Sequence, residues 1–181
     1  MSDFAARLTF ANGKTLEFHG PSDITKETTE AIVNAANSSL AGGGGVDGAI
    51  HRAAGPKLML ELQERYQGCP TGSAVITGAG RLPARYVIHA VGPRWGGGGH
   101  NEVGLLASAY RTAFTLAAEH SCATVSVPAI STGIYGFPIG QAAPIAITEA
   151  IAALGIPGTT LREITFALFS DSDLAVFARA L

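Results

Sequence analysis

Cysteine is scarce in this chain. Cys69 and Cys122 stand far apart and outside any CxxC pair, which excludes a disulfide framework and a cysteine-built metal site and leads us to expect a reduced, cytoplasmic setting. Long apolar runs are also missing. None approaches the roughly 18 residues that would suggest a membrane-crossing helix, and the opening MSDFAARLTF alternates too early and is too polar for a secretory signal, so no membrane partner is expected. Basic charge is thin as well: 12 Lys and Arg face 14 Asp and Glu, for a net charge of −2. The basic residues are scattered without a patch, so the counterion release that drives binding to a nucleic acid backbone is weak. A terminal phosphate remains within reach; an extended polymer does not. Phosphate, if held, would be held by backbone N–H groups and helix ends, which favours a small phosphorylated ligand.

Glycine, by contrast, is plentiful, with 23 residues among 181. The richest stretch is 34–48, NAANSSLAGGGGVDG. Here Asn34 and Asn37 precede four glycines, and Asp47 follows them. Glycine leaves backbone N–H groups uncovered and free to converge on an anion, while amide side chains both donate to and accept from hydroxyls. With a lone acid beside them, these residues suit the binding of a phosphorylated sugar and an attack upon it.

The length suits one domain over 1–181. Residues 7–19 read as two strands around Asn12-Gly13, a strong hairpin signal. Short apolar, β-branched runs at 31–34, 73–77, 86–91, 124–130 and 163–169 read as strands. Helical spacing covers 46–66, broken near Gly55-Pro56, then 101–119, 141–154 and 172–181. Strands alternating with helices indicate an α/β sandwich with helices on both sheet faces.

Several catalytic patterns nearly match and fail on context. The run 43–48 satisfies G-x-G-x-x-G, but a dinucleotide fold needs that turn directly off a strand and an acid at the next strand's end. Ser38 and Ser39 intervene, and Glu61 and Glu64 fall in a helical pattern, which leaves a dehydrogenase a distant reading. Gly13-Lys14-Thr15 resembles the end of a P-loop, yet Leu8 occupies the first glycine's place. The segment 129–133 resembles a nucleophile elbow, whose histidine must follow the serine; every histidine here precedes Ser131.

Read differently, STGIYG at 131–136 follows a buried strand and precedes a helix. That places it at the carboxyl end of the sheet, where α/β proteins bind ligands. Paired with the 42–48 loop, it could close on one diphosphate from both sides. Asp47 falls in the first turn of a helix, where an acid by default caps or offsets the dipole. His51 lies one turn on, and the D-x-x-x-H spacing supplies two metal ligands with no third. No metal and no cofactor are expected.

These motifs resemble the macrodomain family, specifically its MacroD-type branch, over nearly the whole chain. The likeness runs through Asp23-Ile24-Thr25, IVNAANSSLAGGGGVDGAIHRAAG (32–55), VIHAVGP (87–93) and VPAISTGIYGFP (127–138). It implies a three-layer α/β/α sandwich with a mixed central sheet that binds ADP-ribose. Asp23 would accept a hydrogen bond from the adenine amino group beside the Ile24 N–H, and Phe169 would stack on the ring. Gly44, Gly45 and Val46 would donate to the diphosphate from one side, and Ser131, Thr132, Gly133, Ile134 and Tyr135 from the other. Asn37 would contact the distal ribose under Tyr135, with Asn34 fixing the loop. Asp47 would hold or activate the attacking water in concert with a ligand phosphate, supported by His51.

The activity so implied is hydrolysis of mono-ADP-ribose from acidic side chains, deacetylation of O-acetyl-ADP-ribose, or both. The partners would be ADP-ribose, ADP-ribosylated proteins or O-acetyl-ADP-ribose, with nucleic acid confined to ADP-ribosylated ends. The alternative is a reader that binds ADP-ribose without turnover. Asp47 and Asn37 favour the enzyme, since reading alone needs no acid beside the sugar. The adjacent glutamates of poly(ADP-ribose) glycohydrolases are absent after the glycine loop. Ser22 replaces the glycine that usually precedes Asp-Ile-Thr in the family, and would be strained if that position has positive φ. The second tetraglycine, 96–99, reads as a mobile rim.

Overall fold

Asn12 and Gly13 close the first hairpin as expected. The computed structural model, which describes residues 4–181, places β1 at Phe4–Thr9 and β2 at Thr15–His19. Gly13 takes φ +83°, and the Asn12 carboxamide accepts from the Lys14 N–H at 3.1 Å, so both residues serve the turn directly. The remaining strands are β3 (Ala31–Ala35), β4 (Ala74–Gly78), β5 (Tyr86–Ala90), β6 (Thr124–Val127) and β7 (Glu163–Ala167). The helices are α1 (Gly45–Ala54), α2 (Lys57–Arg65), α3 (Glu102–Glu119), α4 (Ile139–Leu154) and α5 (Asp171–Arg179), with a short 3₁₀ turn at Ile24–Lys26.

The sheet order among the described residues is β1-β2-β7-β6-β3-β5-β4. Strands β2, β7, β6, β3 and β5 run parallel, and β1 and β4 pair antiparallel at the edges. Helices α3, α4 and α5 cover one face and share its core, in which Phe18, Phe166 and Phe177 pack with ring centroids 5.1–6.0 Å apart. Burial of each such ring contributes about 1.5–3 kcal/mol. On the other face α1 and α2 cover Ile32, Val87 and their neighbours. The expected three-layer sandwich with a mixed sheet is the observed one.

Strand alternation decides what the α1 side receives. In β3, Ala31 and Val33 face the α3–α4 core while Ile32 faces α1, and Asn34, two residues on from Ile32, falls on the α1 side. In β5, Ile88 and Ala90 join the first core and Val87 the second, so His89 also faces α1. Asn34 and His89 are register partners in the parallel pair. An apolar alternation thus delivers two polar side chains beneath one helix.

Element ends differ from expectation where local chemistry intervenes. The strand read over 124–130 stops at Val127, because Pro128 has no N–H to donate. The last strand ends at Ala167, not at 169; Ser170 caps α5 by accepting from the Asp173 N–H at 3.1 Å. The long helical stretch divides at Gly55, which takes φ +84° and caps α1 through its N–H to the His51 carbonyl. Ser22 is not among the residues with positive φ, so the strain considered for it does not arise. Its hydroxyl instead donates to Glu27 at 2.9 Å.

Candidate functional site

Helix α1 opens on Gly45 without a side-chain cap, so its first N–H groups point out of the helix unpaired. Asp47 lies in that first turn and is 6% exposed. It does not cap the helix. Its Oδ1 accepts from Asn34 Nδ2 at 2.8 Å and lies 3.3 Å from His51 Nε2. Burial pushes the carboxyl up, but the hydrogen bonds from His51 and Asn34 and the charge of His51 outweigh it and hold Asp47 below the usual carboxylate range. The second oxygen, Oδ2, sits beside Gly43, where a Cβ would lie 3.5 Å from it and 3.8 Å from the Asn37 amide nitrogen. One oxygen is therefore clamped, and the other is turned toward the glycine loop.

The Asn37 side chain is largely occupied in shaping that loop. Its Nδ2 donates to the Gly42 carbonyl at 2.9 Å, and its Oδ1 accepts from Ser39 and from the Ala41 N–H. These bonds bring the chain round through Leu40 at φ +56° and Gly42 at +81° to deliver Gly44 and Gly45 to the head of α1. Only one Nδ2 hydrogen stays free for a ligand.

The 131–136 segment forms the facing wall. Ser131 takes φ +69°, its carbonyl accepts from the Phe137 N–H at 2.9 Å, and the Gly136 N–H reaches Gly133. Thr132 spends its hydroxyl on the Ala129 carbonyl at 2.8 Å. The N–H groups of Gly133, Ile134 and Tyr135 take no backbone partner. A Cβ on Gly44 would lie 4.0 Å from Ile134 Cδ1, so the two glycine loops meet across a narrow gap. Their unpaired N–H groups make an anion-binding pair of walls.

Beside Asn37 and Tyr135 lies a cleft of about 410 Å³, lined also by Ser38, Thr71, Gly92 and Arg94 among others. Arg94 stacks on the Tyr135 ring at 4.9 Å, and the Trp95 N–H donates to the Tyr135 carbonyl at 2.8 Å. The tetraglycine read as a mobile rim is tied down: the Glu102 carboxylate accepts from the N–H groups of Gly96, Gly98 and His100. Burial would raise this carboxyl, but those three donors hold it at about 2.

Farther along the carboxyl ends of the strands, Ser22 N–H bonds to the Leu168 carbonyl at 2.7 Å, bringing Asp23 and Ile24 alongside the end of β7. Phe169 there is 83% exposed, an unpacked ring on the surface. Asp23 Oδ1 accepts from the Thr25 N–H and hydroxyl; its own turn already engages it. The residues singled out in sequence thus gather in two groups: Asn34, Asn37, Asp47 and His51 with the two loops, and Asp23, Ile24 and Phe169 at the β7 end. Sequence reading gave no role to Thr77, His89 or Arg94. Period-two alternation in β5 was a signal for His89, while the Arg94–Tyr135 stack depends on two loops whose meeting no local pattern discloses.

Residues 33–146 match the model of the Macro domain family. A Pantoea vagans protein described as O-acetyl-ADP-ribose deacetylase 1 is 53% identical over 162 residues, covering 88% of this chain and 94% of that one. The Oceanobacillus iheyensis macrodomain with ADP superposes with a TM-score of 0.91 at 42% identity, over 99% of this chain and 96% of that one. The Trypanosoma brucei macrodomain in complex with ADP-ribose gives 0.84 at 36% identity, over 91% of this chain and 68% of that one. A mixed-sheet α/β/α sandwich with paired glycine loops beyond its parallel strands is the macrodomain architecture, and the chain belongs to the macro domain family. Within the family it falls in the MacroD-type branch, where relatives described as O-acetyl-ADP-ribose deacetylases are 53% and 51% identical to it.

Proposed function

We propose that this protein binds ADP-ribose between its two glycine loops and hydrolyses an ester at the distal ribose. The substrates would be mono-ADP-ribose on acidic side chains, O-acetyl-ADP-ribose, or both. The observation that carries the enzymatic reading is the Asp47 carboxylate, clamped through Oδ1 and free at Oδ2 beside Gly43. A reader has no use for an ionised acid held in that posture next to an anionic ligand. Asp47 Oδ2 would orient a water and accept its proton as the oxygen attacks. Water adds its hydroxyl to the acyl carbon and a proton to the ribose oxygen, leaving a carboxylic acid and ADP-ribose.

Binding would divide along the cleft. The free N–H groups at the head of α1 and of Gly133, Ile134 and Tyr135 would take the diphosphate, Phe169 the adenine face, and Asp23 with Ile24 its edge. Tyr135 would cover the distal ribose, with Asn37 contributing its remaining N–H. The test is release of ADP-ribose from mono-ADP-ribosylated Glu/Asp substrate and acetate from O-acetyl-ADP-ribose, beside calorimetric titration with ADP-ribose and NAD. Tight ADP-ribose binding without any product release would make the protein a reader. A preference for NAD would overturn the ligand assignment.

Gly92 supplies a sharper check of the binding wall. A Cβ there would stand 2.2 Å from Ser131 Oγ and 2.5 Å from Ile130 Cγ2, distances no packing tolerates. Gly92→Ala must displace Ser131 and Ile130, at the start of the 131–136 loop. We expect ADP-ribose affinity to fall by about tenfold or more, equivalent to about 1.4 kcal/mol, in a protein that still folds. Unchanged affinity by calorimetry would show that this loop does not set the diphosphate subsite.

A further inference from the structure

A chain of hydrogen bonds continues from Asp47 away from the cleft, through the α1 side of the sheet. Asn34 Nδ2, which donates to Asp47 Oδ1, also lies 3.1 Å from His89 Nδ1. His89 Nε2 lies 2.9 Å from Thr77 Oγ1, and that hydroxyl lies 2.8 Å from the Gly78 carbonyl. The sheet explains the row: Asn34 and His89 are register partners across β3 and β5, and Thr77 stands on neighbouring β4, opposite Val87. All three side chains are sealed from solvent, Asn34 and His89 completely and Thr77 all but 1%.

The direction of every proton in this row follows from its ends. The Gly78 carbonyl can only accept, so the Thr77 hydroxyl donates to it. Thr77 Oγ1 is then the acceptor for His89, which makes Nε2 the protonated nitrogen. Nδ1 is left as an acceptor and receives one hydrogen of the Asn34 amide. The other hydrogen goes to Asp47, an ionised carboxylate that accepts only. A flipped amide would set its oxygen against that carboxylate. The orientation leaves Asn34 Oδ1 buried with no partner, an arrangement that costs stability and that the demands of Asp47 and His89 account for.

We infer that Thr77 and His89 are positioning residues for Asp47: the row Gly78–Thr77–His89–Asn34 locks the amide that holds Asp47 Oδ1, and so keeps Oδ2 aimed at the glycine loop. This inference rests on the reading of Asp47 as the acid that handles the attacking water. Neither Thr77 nor His89 touches the cleft, and their effect passes through Asn34. Without the hydroxyl of Thr77, His89 loses the acceptor that selects its tautomer, and a His89 protonated on Nδ1 would present a donor to the Asn34 amide. The amide would then turn, and Asp47 would swing with a single tether to His51.

The experiment compares wild type with Thr77→Val, which keeps shape without the hydroxyl, and Thr77→Ser, which restores the hydroxyl. With O-acetyl-ADP-ribose we expect Thr77→Val to lower kcat about tenfold while KM stays within about twofold, the signature of lost transition-state alignment, and Thr77→Ser to recover most of the loss. ¹⁵N-detected NMR of wild type should show His89 neutral with its proton on Nε2, and Asp47 should titrate at higher pH in Thr77→Val. Equal kcat in a folded Thr77→Val protein, or a His89 proton on Nδ1 in wild type, overturns the inference. If wild type releases no product at all, the hydrolase reading fails on its own. The His89 tautomer and the Asp47 titration then still decide whether the row exists and reaches the acid.

Discussion

Asp47→Ala is expected to lower kcat for ADP-ribose release by about a hundredfold to ten-thousandfold, the range that a positioned general base contributes, while ADP-ribose affinity stays within about threefold. The separation follows from where the two kinds of group sit. Diphosphate binding is assigned to backbone N–H groups of α1 and the 131–136 loop, which the substitution leaves in place. The carboxylate contributes little to holding an anionic ligand and could weaken it by repulsion, so its loss should not raise Kd. Asp47→Asn is the finer control, since it keeps size and the bond from Asn34 but cannot take a proton. It should be nearly as inactive. The pH profile gives a third reading: hydrogen bonds from His51 and Asn34 hold the Asp47 carboxyl below its ordinary value, so the acid limb attributable to this group falls below the ordinary carboxylate range. Turnover by Asp47→Ala equal to wild type would remove the acid from the mechanism even if the activity were real.

How much of this was legible in sequence depends on the range of the interaction. The hairpin at Asn12-Gly13, the break at Gly55-Pro56 and the helix over 101–119 each rest on contacts a few residues apart, and each appears within a residue or two of expectation. The Asp47–His51 pair was likewise readable, because i and i+4 share a helix face. Strand ends were less legible: the run at 163–169 holds no Gly, Pro or Asn to break it, and only the cap formed by Ser170 and the exposure of Phe169 show where the ladder stops. Asn37 was read as a ribose contact, but three of its hydrogen bonds are spent on the loop itself. The bond from Asn34 to Asp47 spans 13 residues and the contact from Asn34 to His89 spans 55. These depend on the β3–β5 register and on the packing of α1, which no local periodicity reports.

His89 should make the fold acid-sensitive well above the pH at which carboxylates protonate. Complete burial lowers its affinity for a proton, and the charge of His51, whose ring centroid is 6.2 Å away, lowers it further. Asp47 opposes both, and the outcome is a value of about 3 against an ordinary 6.5. The hydrogen bonds agree, since Nδ1 accepts from Asn34 and Nε2 donates to Thr77, leaving no acceptor for a second proton. Between pH 6.5 and 3 the unfolded chain therefore binds a proton here that the folded chain refuses. Stability falls as pH falls through that window, by up to about 1.4 kcal/mol per pH unit, and by about 2 kcal/mol between pH 6.5 and 4.5. Asp47, Glu27 and Glu102 add acid sensitivity of the same sign, but theirs begins near the ordinary carboxylate range. His89→Gln removes the titration. The variant should be less stable than wild type at pH 7.5, because it disturbs a buried hydrogen-bonded row, and the gap should close by about 2.7 kcal/mol by pH 4.5. Urea unfolding of both proteins at pH 7.5, 6.5 and 4.5 measures this directly, and stability curves that stay parallel across that window would mean that His89 is not held neutral by the fold.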